Sequence, residues 1–103
     1  MTTFRDVAAL SDLPPGRSLE VRVDGRGVAL FNVGGTIRAV SAECTHAGGP
    51  MCEGEVEDGV VTCPWHAASF SLGDGKALTR PATLALESYA TRVVGGRIEV
   101  EVR

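Results

Sequence analysis

Histidine occurs twice and cysteine three times in this 103-residue chain, and aromatic residues make up only 5% of it. An odd cysteine count is a poor basis for a disulfide framework, so metal or redox use is the expectation for these thiols. No apolar run exceeds four to five residues (Val28 to Phe31; Ala82 to Leu86, interrupted by Thr83), against the roughly 20 that a membrane-spanning helix requires. The opening residues, Met-Thr-Thr-Phe-Arg-Asp, hold no basic stretch followed by an apolar core, so no secretory signal is expected and a cytoplasmic location is. Length leaves no room for a second core. With 44% apolar and 22% charged residues, disorder is excluded as well.

Positive charge is missing from the middle of the chain. Between Arg38 and Lys76 there is no Lys or Arg, while Glu43, Glu53, Glu55, Glu57, Asp58 and Asp74 all fall there, which puts −6 on that segment and +3 on the remainder. Such an acidic island argues against nucleic acid as a partner. It is either a docking surface for a basic protein or a solubilising rim.

What the chain does have is alternation. Leu19-Glu20-Val21-Arg22-Val23 and Ile98-Glu99-Val100-Glu101-Val102 read as half-buried strands. Further β-branched or apolar runs lie at Gly27 to Val33, Thr36 to Val40, Val60 to Cys63 and Tyr89 to Val94. Asp24-Gly25, Gly34-Gly35, Asp58-Gly59, Asp74-Gly75 and Gly95-Gly96 punctuate them, and these pairs tolerate the positive φ of tight hairpin turns. No segment keeps a helical period for ten residues without a glycine. The expected class is therefore all-β, a small antiparallel sandwich or barrel. Ser41 to Pro50 and Cys63 to Asp74 alternate little and read as loops, joined by a candidate hairpin over Gly54 to Cys63.

Both histidines and two of the three cysteines sit in those loops, in Cys44-Thr45-His46 and Cys63-Pro64-Trp65-His66. A lone His or Cys is usually a packed core residue. Two Cys-and-His pairs on Gly- or Pro-containing loops, with 16 residues between His46 and Cys63, are instead able to converge on one metal site.

This pattern resembles the Rieske family of [2Fe-2S] proteins. The likeness continues through Ala47-Gly48-Gly49-Pro50, through Pro64-Trp65-His66 to Phe70, to Gly75 and to Pro81-Ala82, so that Ser41 to Pro81 is matched closely. It implies one domain over 1–103, with a cluster-binding subdomain at about 41–82 inserted into a β base formed by 1–40 and 83–103. It also implies that Cys44 and Cys63 hold one iron of a [2Fe-2S] cluster and His46 and His66 the other. Two ferric ions, two sulfides and two thiolates sum to zero charge, whereas four thiolates give a dianion. The first accepts an electron more readily, which is why imidazole ligation raises the potential. The imidazoles also lose protons more readily on the oxidised cluster, so potential is expected to fall with pH.

Departures from the family pattern indicate the branch. Gly49 and Trp65 stand where respiratory-chain members carry a disulfide, and Ala68 and Phe70 where they place hydroxyl donors near the sulfurs. Fewer donors imply a potential in the lower part of the Rieske span of roughly −150 to +300 mV. No histidine remains for a mononuclear iron, so the resemblance implies a carrier without catalytic residues of its own. It would pass one electron at a time from a flavin-dependent reductase to a terminal oxygenase, with docking near the His46/His66 end. The small Rieske-like subunit of an assimilatory nitrite reductase is the alternative. A second is a structural Cys2His2 zinc site in an interaction module. Cys52 is left over, and the simplest role for it is that of a structural thiol.

Overall fold

The computed structural model describes residues 3–43, 50–64, 69–78 and 86–102. Every regular element among them is a strand or a single 3₁₀ turn, so the all-β expectation holds. None of the described helices is long and apolar enough to cross a membrane.

The centre of the molecule is a four-stranded antiparallel sheet in the order β2-β3-β4-β8, made by Ser18–Val23, Arg26–Val33, Thr36–Ser41 and Ser88–Tyr89. Its first two turns are the expected Asp24-Gly25 and Gly34-Gly35, both residues of each pair at positive φ, the geometry that two-residue hairpins need to match strand twist. The continuous apolar run in β3 has a simple cause, because this strand is covered on both faces. Val28 and Leu30 point into one cluster with Leu13, Ile37, Ala39, Ile98 and Val100. Ala29 and Phe31 point into the other, with Val40, Met51, Val61, Cys63 and Phe70. A strand wetted on one face would alternate; one buried on both cannot.

Against the first face packs the sheet β1-β10-β9, from Thr3–Ala9, Arg97–Val102 and Thr91–Val94. Strand β1 lacks an alternating pattern because its register with β10 shifts between Asp6 and Ala8, and a bulge of this kind flips the inward-facing set. The Arg97 guanidinium grips Asp6 across that irregularity, with Nη2 and Nε donating to the carboxylate at 2.8–3.1 Å. The single strand expected over Tyr89 to Val94 is in fact two. At Ala90 the chain leaves β4 and joins β10, and Ala90 has no turn residue to advertise the crossing.

Over the second face lies a small sheet, β5-β6-β7, from Glu55–Glu57, Val60–Thr62 and Ser69–Ser71. The hairpin expected between Gly54 and Cys63 is there, with Asp58 and Gly59 at positive φ in its turn. Strand β7 was expected to be loop. Three residues are too few to display a period, yet Phe70 is fully buried between two half-buried serines. The Asp74-Gly75 pair is not a tight two-residue turn. Residues 72–75 form a longer connection, in which Gly75 N–H donates to Ser71 and Gly75 C=O accepts from Leu86 N–H, both at 2.7 Å.

Candidate metal centre

Cys63 directly follows β6 and is only 1% exposed. Of the four candidate ligands it alone lies among the described residues; Cys44, His46 and His66 lie outside them, as do Gly49, Trp65, Ala68, Pro81 and Ala82 from the resemblance. What the structure describes is the ground at the bases of the two ligand-bearing loops.

Both loops are pinched at the base. Leaving β4, the chain passes the buried Ala42 and reaches Glu43, which bridges antiparallel to Pro50, while Met51 N–H donates to the Ala42 carbonyl at 2.8 Å. The ends of the 44–49 stretch are thus side by side. In the second loop Thr62 pairs with Ser69, and their hydroxyls lie 3.3 Å apart. The two bases share one apolar floor, since Met51, Val61, Cys63 and Phe70 belong to a single buried cluster continuous with Phe31 of the central sheet.

Glycine at position 54 sets how closely the bases approach. A Cβ there would stand 2.4 Å from the Thr62 carbonyl oxygen and 3.1 Å from that of Met51. Its backbone φ of −72° is ordinary, so the requirement is for space and not for a left-handed conformation.

Cys52 lies on the 3₁₀ turn Met51–Glu53, at the edge of this ground. It packs beside the apolar floor, its Sγ contacts Glu20 Oε1 at 3.9 Å, and the Ser18 hydroxyl donates to its carbonyl. Partial burial first, then the carboxylates of Glu20 and Glu53, push its thiol above the usual range. Through its contacts with Glu20 and Ser18, Cys52 ties the 3₁₀ turn to β2. Glu53 shares the same turn, so although its spacing from Glu55 and Glu57 is that of one strand face, it does not belong to that face. None of the ion pairs among the described residues includes Glu43, Glu53, Glu55, Glu57, Asp58 or Asp74; all of them join residues of the two larger sheets and their connections.

Comparison with known proteins agrees with this frame. The model of the Rieske [2Fe-2S] domain matches residues 3–90. A 3-phenylpropionate/cinnamic acid dioxygenase ferredoxin subunit from Shigella flexneri is 46% identical over 95 residues, covering 90% of this chain and 88% of that protein. Among solved structures, the complex of reduced oxygenase and oxidized ferredoxin in carbazole 1,9a-dioxygenase contains a chain that is 31% identical, with a TM-score of 0.86 over 94% of this chain and 91% of that one. A chain described as an NADH-dependent nitrite reductase small subunit from Mycobacterium tuberculosis is 32% identical, with a TM-score of 0.90 over 100% of this chain and 97% of that one.

The chain belongs to the Rieske [2Fe-2S] domain family. It is an electron-carrying ferredoxin and not a catalytic subunit, and its cofactor is a Rieske-type [2Fe-2S] cluster held by two cysteines and two histidines, which sets aside the zinc alternative. The described residues fit that group. A soft sulfur donor, Cys63, is held away from water at the mouth of a pinched loop, where the negative charge of a thiolate is tolerated only beside a compensating cation.

Proposed function

We propose that Cys44, His46, Cys63 and His66 are the four ligands, and that the chain passes single electrons from a flavin-dependent reductase to the terminal oxygenase of an aromatic-ring dioxygenase system in the cytoplasm. The observation that carries the assignment is the confinement of both histidines to the two loops, together with the shared apolar floor beneath the bases of those loops. What a cluster of this type supplies when bound is the reversible uptake of one electron, at a potential that imidazole ligation raises.

The chain's own residues do the rest. Met51, Val61 and Phe70 form a dry floor beneath the bases of the loops, and the Glu43–Pro50 and Thr62–Ser69 pairings hold the two ends of each loop together. This favours a rigid carrier, because ligands held in one geometry in both redox states need little reorganisation when charge moves. In this reading residues about 41–82 are the cluster-binding subdomain and the rest its base, and partners dock at the end bearing His46 and His66. A flavin reductase would load the electron at that end and the oxygenase would take it from there.

Reconstitution tests the proposal. Purified chain, a flavin reductase and the oxygenase component of a phenylpropionate-type dioxygenase are combined with NADH, and hydroxylated product is measured. Product that depends on this chain is expected; none, with reduction of the chain itself intact, rejects the oxygenase as the acceptor. The second reading, a nitrite reductase small subunit, rests on the Mycobacterium tuberculosis neighbour, and the same reduced chain offered to a nitrite reductase large subunit with nitrite separates the two.

A further inference from the structure

On the flank of the small sheet, a groove of about 520 Å³ runs between β5 and the Gly16–Ser18 and Phe31–Gly34 segments of the central sheet. That size is within the range of ligand clefts. Strand β5 is the outermost of its sheet, and the hairpin register says which of its backbone groups are unclaimed. In a two-residue hairpin the residues flanking the turn, here Glu57 and Val60, exchange both hydrogen bonds. The next pair, Val56 with Val61, is then non-bonded, and the Val56 N–H and C=O point outward along the sheet edge.

The side chains are sorted by the same register. Val56, Val61 and Phe70 are aligned across the three strands; the latter two are fully buried, and Val56 ends the row at 39% exposure. The apolar row therefore runs out into the groove, toward Phe31 and the half-buried Val33 on the other side. Glu55 and Glu57 project from the opposite, wet face, and Asp58 sits in the turn beyond them. The residues along the groove thus include three acids, Glu55, Glu57 and Asp58, and one base, Arg17.

We propose that the outer edge of β5 accepts an extended segment of the chain's electron-transfer partner, added as a fourth strand and carrying the pattern basic-apolar-basic. The residue opposite Val56 would face inward over Phe31 and Val33, and its two neighbours would lie on the wet face beside Glu55 and Glu57, where opposite charges across adjacent strands attract. Main-chain bonds give such additions their affinity and alternate side chains their specificity. A second copy of this chain is a poor occupant, because β5 against β5 sets carboxylate beside carboxylate, the like-charge arrangement that protects natural sheet edges. Since Glu55 pairs with Thr62, one end of the groove lies a single residue from Cys63. A bound arm would hold the partner beside the ligand loops without covering them. The inference rests on the electron-carrier reading for the nature of the partner, and on the groove alone for the pattern.

The test uses the ¹⁵N-labelled holoprotein at low ionic strength and a capped heptapeptide, Thr-Thr-Lys-Val-Lys-Thr-Thr, followed by amide shifts. A saturable change at the Val56 amide, with accompanying shifts at Val33 and Gly34, is expected at millimolar peptide. The Glu55→Gln, Glu57→Gln, Asp58→Asn triple variant should weaken it about tenfold. An unmoved Val56 amide, or equal binding of the Glu-Val-Glu peptide, would overturn the proposal. The visible spectrum and dithionite reduction of the same sample report on the cluster separately, so a coloured, reducible protein that ignores the peptide loses only this inference.

Discussion

Replacing Gly54 by Ala places a methyl group where the Thr62 carbonyl oxygen is 2.4 Å away, whereas ordinary contact begins at about 3.4 Å. The Met51 carbonyl at 3.1 Å blocks retreat, so the 3₁₀ turn and β6 must separate by about 1 Å. Both obstacles are backbone, and neither has a rotamer to change. Forcing a well-packed site apart in this way costs about 1–3 kcal/mol, which for a domain of this length is a fall in Tm of roughly 5–20 °C. The displacement also runs through the ground between the two ligand loops, so cluster loss during dilution or mild heating should speed up in parallel. Gly95→Ala is the control. It meets nothing within 4 Å and has a φ of +56°, so it carries only the left-handed backbone strain of about 1 kcal/mol, at a turn remote from the metal centre. Thermal melts with parallel visible absorbance measure both. A Gly54→Ala protein with the Tm and cluster half-life of the parent would refute the packing account of how the loops are spaced.

Cys63→Ser should abolish the visible spectrum and loosen the small sheet, because the loops lose the metal that ties them together, while Cys52→Ser should retain colour and occupancy; iron and sulfide assays decide. Asp6 is held below the usual carboxylate range, chiefly by hydrogen bonds from Arg97. Its contribution to stability is therefore present above the unfolded pKa near 3.8 and lost as pH falls through the lower, folded one. Urea midpoints of the parent and of Asp6→Asn, compared from pH 7 to pH 2, should differ at neutral pH and converge in acid. The reduction potential should fall in the lower part of the roughly −150 to +300 mV Rieske span, and Ala68→Ser should raise it by adding a hydroxyl donor; voltammetry of both proteins checks the sign.

The fold was legible where local chemistry repeats itself. Five turns are announced by Asp-Gly or Gly-Gly, and four of them are tight hairpins with both residues at positive φ. Legibility ended where the cause is tertiary. Strand β1 hides its period in a bulge against residues some 90 positions away, the break at Ala90 exists only because two sheets compete for neighbouring segments, and β7 exists because Phe70 has an apolar floor to fall into. The chemistry of the site was carried by two short motifs, since both histidines lie there. Its support was not: neither the role of Gly54 as a spacer nor the link from Cys52 to β2 leaves a signature in residue type or spacing. The spacing of Glu53 from Glu55 and Glu57 likewise carries no sign of the 3₁₀ turn that separates it from their strand.

His46 and His66 are the only histidines in the chain, so histidine labelling addresses the metal centre and nothing else. Protein produced with ¹⁵N-histidine, purified anaerobically, reduced by one electron and studied by pulsed electron–nuclear resonance should show two strongly coupled ¹⁵N nuclei. Each of the variants His46→Cys and His66→Cys, if it retains a cluster, should show one. A reduced, coloured parent protein with no histidine coupling, or with unchanged couplings in either variant, would contradict the ligand set on which the account rests.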